Sequence, residues 1–459
     1  MTSWVLHCRE LTGEVDAERA FEVLFGTSRW AFWLDSSLVD GPARYSLLGD
    51  SGGPHGDVLH ARIADGGSAT VFDELERRLA ARTVQVPDGL PPALACGYVG
   101  YFGYELKAYD GVPAPHSAPL PDATWMAATR FVVIDHRDAR TWVCELADAT
   151  EPARWIDGAL ARLRDLPHGT APLGGWSVSD AGVDPEPWLV RPRQRYLTDI
   201  ETCLDRLRAG ESYEICLTNS VELPFDADPW LLYRRLRRIN PAPFAAYLRL
   251  GDAHVLSASP ERFLAVDAER HAESRPIKGT APRAADPGVD ALLCKELATS
   301  AKTQAENLMI VDLLRNDLGR VCEPGTISVP AFLAVESYAT MHQLVSTVRG
   351  RLRGGVSAVG AARACFPPGS MTGAPKLRTM RILDELEGRP RGVYSGAVGH
   401  FGLAGTADLS VVIRTAVVHG GLLTVGAGGA IVLDSDPREE YDEMLLKAAV
   451  PLRALDPRI

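Results

Sequence analysis

The sequence predicts a soluble α+β protein, and three observations carry that prediction. Short β-rich runs broken by Gly, Pro and Asp fill the first third of the chain, amphipathic segments with helical spacing interrupt and follow them, and no apolar stretch approaches the length of a membrane span. A chain of 459 residues has room for two or three ordinary domains, or for one large α+β enzyme of two intertwined lobes. Either arrangement buries a sizeable core.

In chain order, WAFWLDSS (30–37), ARYSLLGD (43–50), ALACGYVGYFGYEL (93–106) and TRFVVIDHR (129–137) read as β-rich runs. TVFDELERRLAAR (70–82) is an amphipathic helix between them, with Phe72, Leu75 and Leu79 on one stripe. Residues 166–192, rich in Gly, Pro, Ser and Asp, form the expected linker between a region 1–165 and a region 193–459. The second region opens with a helix whose Leu197, Ile200, Leu204 and Leu207 form an apolar stripe, ended by Gly210. A strand SYEICLTNSVELPF follows. AHVLSASPERFLAVD (253–267) and RHAESRPIKGT (270–280) then read as two strands joined by a turn near Ala268 and Glu269, so antiparallel pairing brings Glu261 nearly level with Lys278.

The net charge of −11 argues against nucleic acid and anionic membrane as partners, since both need clustered Lys and Arg. An anionic small molecule stays compatible if a metal ion, arginines or backbone amides make a local positive site. Eight cysteines lie scattered with no C-x-x-C pair and no cluster with His at metal spacing, and the N-terminus lacks a charged-then-apolar signal pattern. Reduced, mostly buried thiols in a cytoplasmic protein are expected.

Several polar groups sit where polarity needs a reason. Lys278 follows Pro276 and Ile277 and precedes a Gly-Thr step; it is either a solvated surface charge or an amine held in a confined place. In AENLMIVDLLRNDLGRV (305–321), Leu308, Val311, Leu314 and Leu318 keep helical spacing, with Asp312, Arg315 and Asp317 suited to structural salt bridges. Glu306, in what reads as the first turn, is freer to face a cleft. In REEYDEMLLKAAV (438–450), Glu440, Glu443 and Lys447 stack along one helical face. That is a common solvated pattern, but it follows a Gly-rich turn where Gly428 and Gly429 let backbone N–H groups approach an anion. Arg414 stands among β-branched residues, where a guanidinium needs a carboxylate. Together these pieces describe a pocket with acidic Mg²⁺ ligands, cationic groups for carboxylates and a Glu/Lys pair, suited to a small polycarboxylate.

The motifs SPERF, RPIKGT, ENLMIVDLLRNDLGR, MHQLVS, GSMTGAPK, YSGAVGHF, VVIRTA, GGAIVLDSDP and DEMLLKA follow one another from residue 195 to the end. In that order they resemble the chorismate-utilising enzymes, which include anthranilate, aminodeoxychorismate, isochorismate and salicylate synthases. FWLDSS and ARYSLLG resemble the family's amino-terminal lobe, so the likeness covers nearly the whole chain. The resemblance implies a large two-lobed β-sandwich with flanking helices: an amino-terminal lobe at 1–165, the linker, and a chorismate-binding catalytic region at 193–459. It also implies that Glu306 and Glu443, with Glu440 beside them, hold Mg²⁺ against a substrate carboxylate. Tyr394, Arg414, Lys447 and the amides near Gly428 and Gly429 would bind substrate, with Thr280 and Ser370 as further contacts. His342 matches an active-site histidine of the family, and a core histidine making structural hydrogen bonds is the competing reading.

Within the family, the position of Lys278 resembles alanine in anthranilate synthases and lysine, as PIKGT, in component I of aminodeoxychorismate synthases. The resemblance implies that Lys278, kept partly neutral by a desolvated pocket, attacks ring carbon C2 while the C4 hydroxyl leaves, and that ammonia then adds at C4. Glu261 matches the carboxyl that protonates the departing hydroxyl. Isochorismate and salicylate synthases resemble one another in placing a water-activating lysine where this chain has Glu214, so water chemistry is disfavoured; Glu214 itself is a departure without an assigned role. No glutaminase constellation surrounds Cys96, so ammonia is expected from a separate amidotransferase subunit or from solution. LDSS also resembles the tryptophan-inhibition segment of anthranilate synthases. The competing expectations are anthranilate synthase component I and a catalytically silent binding subunit. Intact Glu306, Glu443, Lys278 and Glu261 argue against the latter.

Overall fold

The structure is a computed structural model that describes residues 4–36, 44–66, 69–82, 84–148, 153–167, 173, 183–338 and 341–455. Most of the expected linker 166–192, and Ser37 of the LDSS segment, lie outside the described residues.

Two large antiparallel sheets pack face to face. One has eleven strands in the order Trp4–Thr12, Arg140–Asp148, Arg130–Asp135, Tyr45–Asp50, Trp30–Asp35, Phe244–Leu250, Ala253–Ser259, Thr415–His419, Leu422–Ile431, Glu214–Pro224 and the short Gly373–Ala374. The other runs Ile277–Pro282, Met341–Arg351, His271–Arg275, Arg262–Val266, Ala407–Val411, Ala397–Gly402, Cys96–Phe102, Ala123–Ala127 and Val58–Ala61, with Ser328–Ser337 paired to Met341–Arg351. Strands from the first third thus join strands from the last half in both sheets. The seams are Trp33 opposite Tyr247 in one and Gly100 opposite Gly399 in the other.

The layers follow from alternation along the strands. Phe32, Leu47, Val133, Leu248 and Val255 of the first sheet meet Val99, Tyr101, Met126 and Val398 of the second in an apolar core between the sheets. On the far side of the first sheet, Ile215, Leu217, Val221 and Leu223 pack against helices that include Arg193–Arg208 and Pro437–Leu452. On the far side of the second, Ile310, Val311, Leu314 and Leu318 of helix Ala301–Gly319 form the outer layer with helix Val71–Ala80. The expected sandwich with flanking helices is what folds.

Local signals are met where they are strong. Thr70 and Asp73 close a capping box at the start of 71–80, and helix 193–208 ends just before Gly210 at φ +72. Other expectations change. The β-rich run 93–106 is strand only to Phe102, after which Tyr104–Asp110 forms a 3₁₀ segment. Leu308, expected on the apolar stripe, is 54% exposed, because the helix packs through Asn307, Ile310, Val311 and Leu314. Nor are all eight cysteines reduced: Cys8 and Cys144 stand directly opposite across strands 4–12 and 140–148, with Cα atoms 4.4 Å apart, and form a disulfide. Cys96, Cys203, Cys216, Cys322 and Cys365 are free and buried, and Cys294 is free and half-buried. Among the described residues no helix is long and apolar enough to cross a membrane.

Candidate active site

The two expected strands at 253–267 and 270–280 are each broken by a proline, and the breaks build the site. The chain leaves the first sheet at Ser259, passes Pro260 and Glu261, and enters the second sheet at Arg262. Its partner strand ends at Arg275 and resumes after Pro276. Proline has no N–H for a ladder, so both interruptions fall where pairing stops. Pairing begins at Arg262 with Arg275, which leaves Glu261 and Lys278 together just beyond its end, as the hairpin reading requires.

Lys278 is not a surface charge. It is 9% exposed, and its Nζ donates to Oε1 of the fully buried Glu214 at 2.6 Å, while Oε2 of Glu214 has no hydrogen-bond partner among the described residues. Burial alone would push the lysine down, but Glu214 and Glu306 outweigh it and hold Lys278 well above its ordinary value. The expectation of a partly neutral resting amine is therefore overturned by the carboxylate whose role the sequence left open. Gly279 turns the chain at φ +84, and a Cβ there would press into Leu297 and Thr303, so the Lys-Gly step needs its glycine.

Glu261 lies beside this pair, 6% exposed. Burial raises its carboxyl to about 7 against the pull of the Ser370 hydroxyl, Lys278 and Arg414, with Glu214 adding to the rise. Arg414 adopts a left-handed backbone at φ +50, and its guanidinium is lowered by burial and supported by Glu261. An acid protonated near neutrality thus stands next to an amine with its own carboxylate.

Two helices bring further charges. Glu306 lies in the second turn of helix 301–319, since the helix starts at Ala301, and makes no hydrogen bond or ion pair among the described residues. Burial raises its carboxyl, Lys278 and Lys302 draw it down, and Glu214 and Glu440 raise it further. From helix 437–452, half-exposed Glu443 accepts from Lys447 at 2.7 Å, and Lys447 also donates to the carbonyl of Gly428 at 3.0 Å. Despite burial, Lys447, Lys302 and Lys278 leave the Glu443 carboxyl lowered. Glu440 is only 2% exposed and its carboxylate is committed to Ser435 at 2.6 Å and Lys302 at 3.0 Å. Among the described residues no three His, Cys, Asp or Glu side chains gather as a metal-holding group. Glu306 and Glu443 nonetheless keep oxygens that a divalent cation could use: among the described residues one carboxylate is partly buried without a hydrogen-bond or ion-pair partner, and the other is held by a half-buried lysine. Oxygen donors from substrate and water would have to complete the shell.

The Gly-rich segment is not a turn. Gly428 and Gly429 lie inside strand 422–431, opposite Thr218 and Leu217. Residues Glu214, Cys216 and Thr218 alternate along the facing strand toward the second sheet, and Tyr394 lies against Gly426, whose absent side chain makes room for the ring. Burial pushes the Tyr394 phenol far above its ordinary value. Behind it Arg391 and Glu387 form a buried pair at 2.7 Å, and Glu387 also takes the Thr218 N–H at 2.9 Å.

Not every expected residue joins this group. Both ring nitrogens of His342 are engaged, Nδ1 with Ser337 at 2.7 Å and Nε2 with Asp290 at 3.1 Å, and none of its hydrogen bonds reaches Lys278, Glu261 or Glu306. Thr280 is exposed. Sequence reasoning missed Lys302, Cys216 and Gly426; the alternation of Glu214, Cys216 and Thr218 with Ile215 and Leu217 was the available signal. A separate cavity of about 300 Å³, bordered by Leu34, Asp35, Tyr45, Phe244 and His400, adjoins the LDSS segment.

Residues 47–453 match the model of the chorismate binding enzyme family. An aminodeoxychorismate synthase of Streptomyces pristinaespiralis is 48% identical over 98% of this chain, and the chain spans 65% of that relative's length. Anthranilate synthase component 1 of Streptomyces coelicolor is 39% identical over 98% of this chain and 88% of that protein. The crystal structure of anthranilate synthase component I from Streptococcus pneumoniae superposes with a TM-score of 0.76 at 28% identity, covering 90% of this chain and 93% of that one. Fold, ordered motifs and these matches agree, and the chain belongs to the chorismate binding enzyme family.

Proposed function

We propose that the chain carries the chorismate-aminating activity of an aminodeoxychorismate synthase, converting chorismate and ammonia to 4-amino-4-deoxychorismate through a covalent bond to Lys278. The observation that carries this reading is the buried Lys278 amine beside a Glu261 carboxyl raised to about 7. As a free amine, Lys278 attacks C2, the ring double bond shifts, and the C4 hydroxyl leaves as water with the proton of Glu261. Ammonia then adds at C4, the double bond shifts back, and the Lys278 amine is expelled from C2. The surplus proton on the new C4 nitrogen returns to the Glu261 carboxylate, so the enzyme is regenerated. Glu306 and Glu443 would hold Mg²⁺, whose contribution when bound is to neutralise the ring carboxylate. Lys447 and Arg414 offer charge to the remaining carboxylate, and Tyr394 closes the inner wall.

Ammonia comes from a separate glutamine amidotransferase subunit or from solution. In support, burial pushes the Cys96 thiol far up, the opposite of an activated glutaminase nucleophile. Anthranilate synthase component I is the second reading, favoured by the 39% identity to the Streptomyces coelicolor protein. The test is mass spectrometry of products from chorismate, Mg²⁺ and ammonium, with and without an aminodeoxychorismate lyase. In the Lys278→Ala variant the enzyme-linked adduct should vanish, turnover should fall by about 100-fold or more, and residual product should shift toward the 2-amino isomer or anthranilate. Unchanged rate and unchanged 4-amino product from the variant would end the covalent reading.

A further inference from the structure

The covalent reading leaves one step without an agent: something must take the proton that the ion pair with Glu214 keeps on Lys278. Among the described residues, five titratable groups face the lysine from the elements around it. Glu306 comes from helix 301–319, Glu443 from helix 437–452, Glu261 from the break between the two sheets, and Cys216 and Glu214 from strand 214–224. Only Glu214 lies within ion-pair distance of Nζ, at 2.6 Å. Cys216 is a buried thiol that already carries its proton, Glu261 holds the proton needed by the leaving hydroxyl, and Glu306 and Glu443 are assigned to the metal.

We propose that Glu214 is the proton acceptor that turns Lys278 from ammonium into the attacking amine. Three features of the geometry support it. Glu214 is fully buried, so the proton is passed within the pair and not to water. Its second oxygen has no hydrogen-bond partner among the described residues, which leaves capacity for the protonated form to make a new bond. Its backbone is fixed by pairing with Ala374, and the next residue by pairing with Gly373 and Ile431, so the root of the side chain is held in the ladder on the side of Lys278.

The step balances: one N–H bond breaks, one O–H bond forms, and a plus and a minus charge vanish together. When the amine is expelled from C2 the proton returns and the ion pair reforms. Since the pair is neutral before and after, the supply of free amine does not follow bulk pH. This inference rests on the covalent reading above, and its test separates the two.

The full-length protein is mixed with chorismate and Mg²⁺ without ammonia, and adduct on Lys278, equal to chorismate less one water, is followed by intact-protein mass spectrometry. Measurements span about pH 5 to about 6, below the value of about 7 to which burial raises Glu261, so that it keeps its proton. Wild type should show a flat rate, whereas Glu214→Gln, which can accept a hydrogen bond but not a proton, leaves the Lys278 proton to bulk base, so its rate should rise by about tenfold per pH unit. Glu214→Asp keeps an acceptor and should return the flat profile at a reduced rate; it also decides the matter if the Gln variant does not fold. A flat profile in Glu214→Gln, or a sloped one in Glu214→Asp, overturns the assignment while the covalent reading stands. Absence of any adduct in wild type overturns the covalent reading and this assignment with it.

Discussion

Replacing Glu261 by Gln should stabilise the protein in a way that grows with pH. Burial raises this carboxyl from 4.5 to about 7 in the folded state. For a raised carboxyl the folded state binds the proton more tightly, so its stabilising contribution is complete below the unfolded value near 4.5 and is lost as pH rises through about 7. The interval of about 2.5 pH units, at about 1.4 kcal/mol each, makes the ionised side chain cost about 3 kcal/mol above pH 7. Glutamine has the same shape and no charge at any pH. A chain of 459 residues unfolds with about 1 kcal/mol/K of entropy, so the variant's Tm relative to wild type should be about 3 °C higher at pH 8 than at about pH 4. Any fixed cost of placing an amide beside Ser370 cancels in that comparison. Thermal unfolding followed by circular dichroism at the two pH values, without metal or substrate, is sufficient. An equal Tm difference at both pH values would refute the assignment of a raised pKa. The same variant should lose turnover, having no proton to give the departing hydroxyl.

Three further outcomes are expected. Glu306→Gln or Glu443→Gln should lower turnover by about 100-fold or more without changing the circular dichroism spectrum, and full wild-type activity in excess chelator would remove the metal assignment. Ammonium at alkaline pH should support product formation by this chain alone while glutamine does not; glutamine-driven synthesis by the purified chain would reveal a glutaminase that the Cys96 environment does not supply. Gly426→Ala should displace the Tyr394 ring, raise KM for chorismate and destabilise the fold by about 1–3 kcal/mol, and an unchanged KM would show that Tyr394 does not shape the substrate wall.

What could be read from the sequence depended on how local each feature is. Helix 71–80, the end of helix 193–208, and the closeness of Glu261 to Lys278 rest on residues within one element or one hairpin, where periodicity and turn chemistry are decisive. Glu214 is 64 residues from Lys278 in sequence and reaches it only through the place of its strand next to the last in the first sheet, which no local period encodes. The pairing of Cys8 with Cys144 has the same cause at greater distance. Leu308 failed for a different reason: a 19-residue helix that also lines a charged site packs through a narrow stripe, so an apolar residue at helical spacing was left outside it. Gly428 and Gly429 read as a turn because glycine is common there, yet here small side chains are needed within a strand, against Thr218 on one face and Glu440 on the other.

The interleaving of the two sheets sets how a disturbance in the amino-terminal third reaches the chemistry. Strand 30–35 hydrogen-bonds directly to 244–250, which in turn pairs with 253–259, whose last residue is two short of Glu261. The cavity beside Asp35 is bordered by both Phe244 of the second of these strands and Arg262, the residue next to the acid. A wedge driven into the first pairing would be felt as a change in where one carboxyl points, with no hinge or moving domain required.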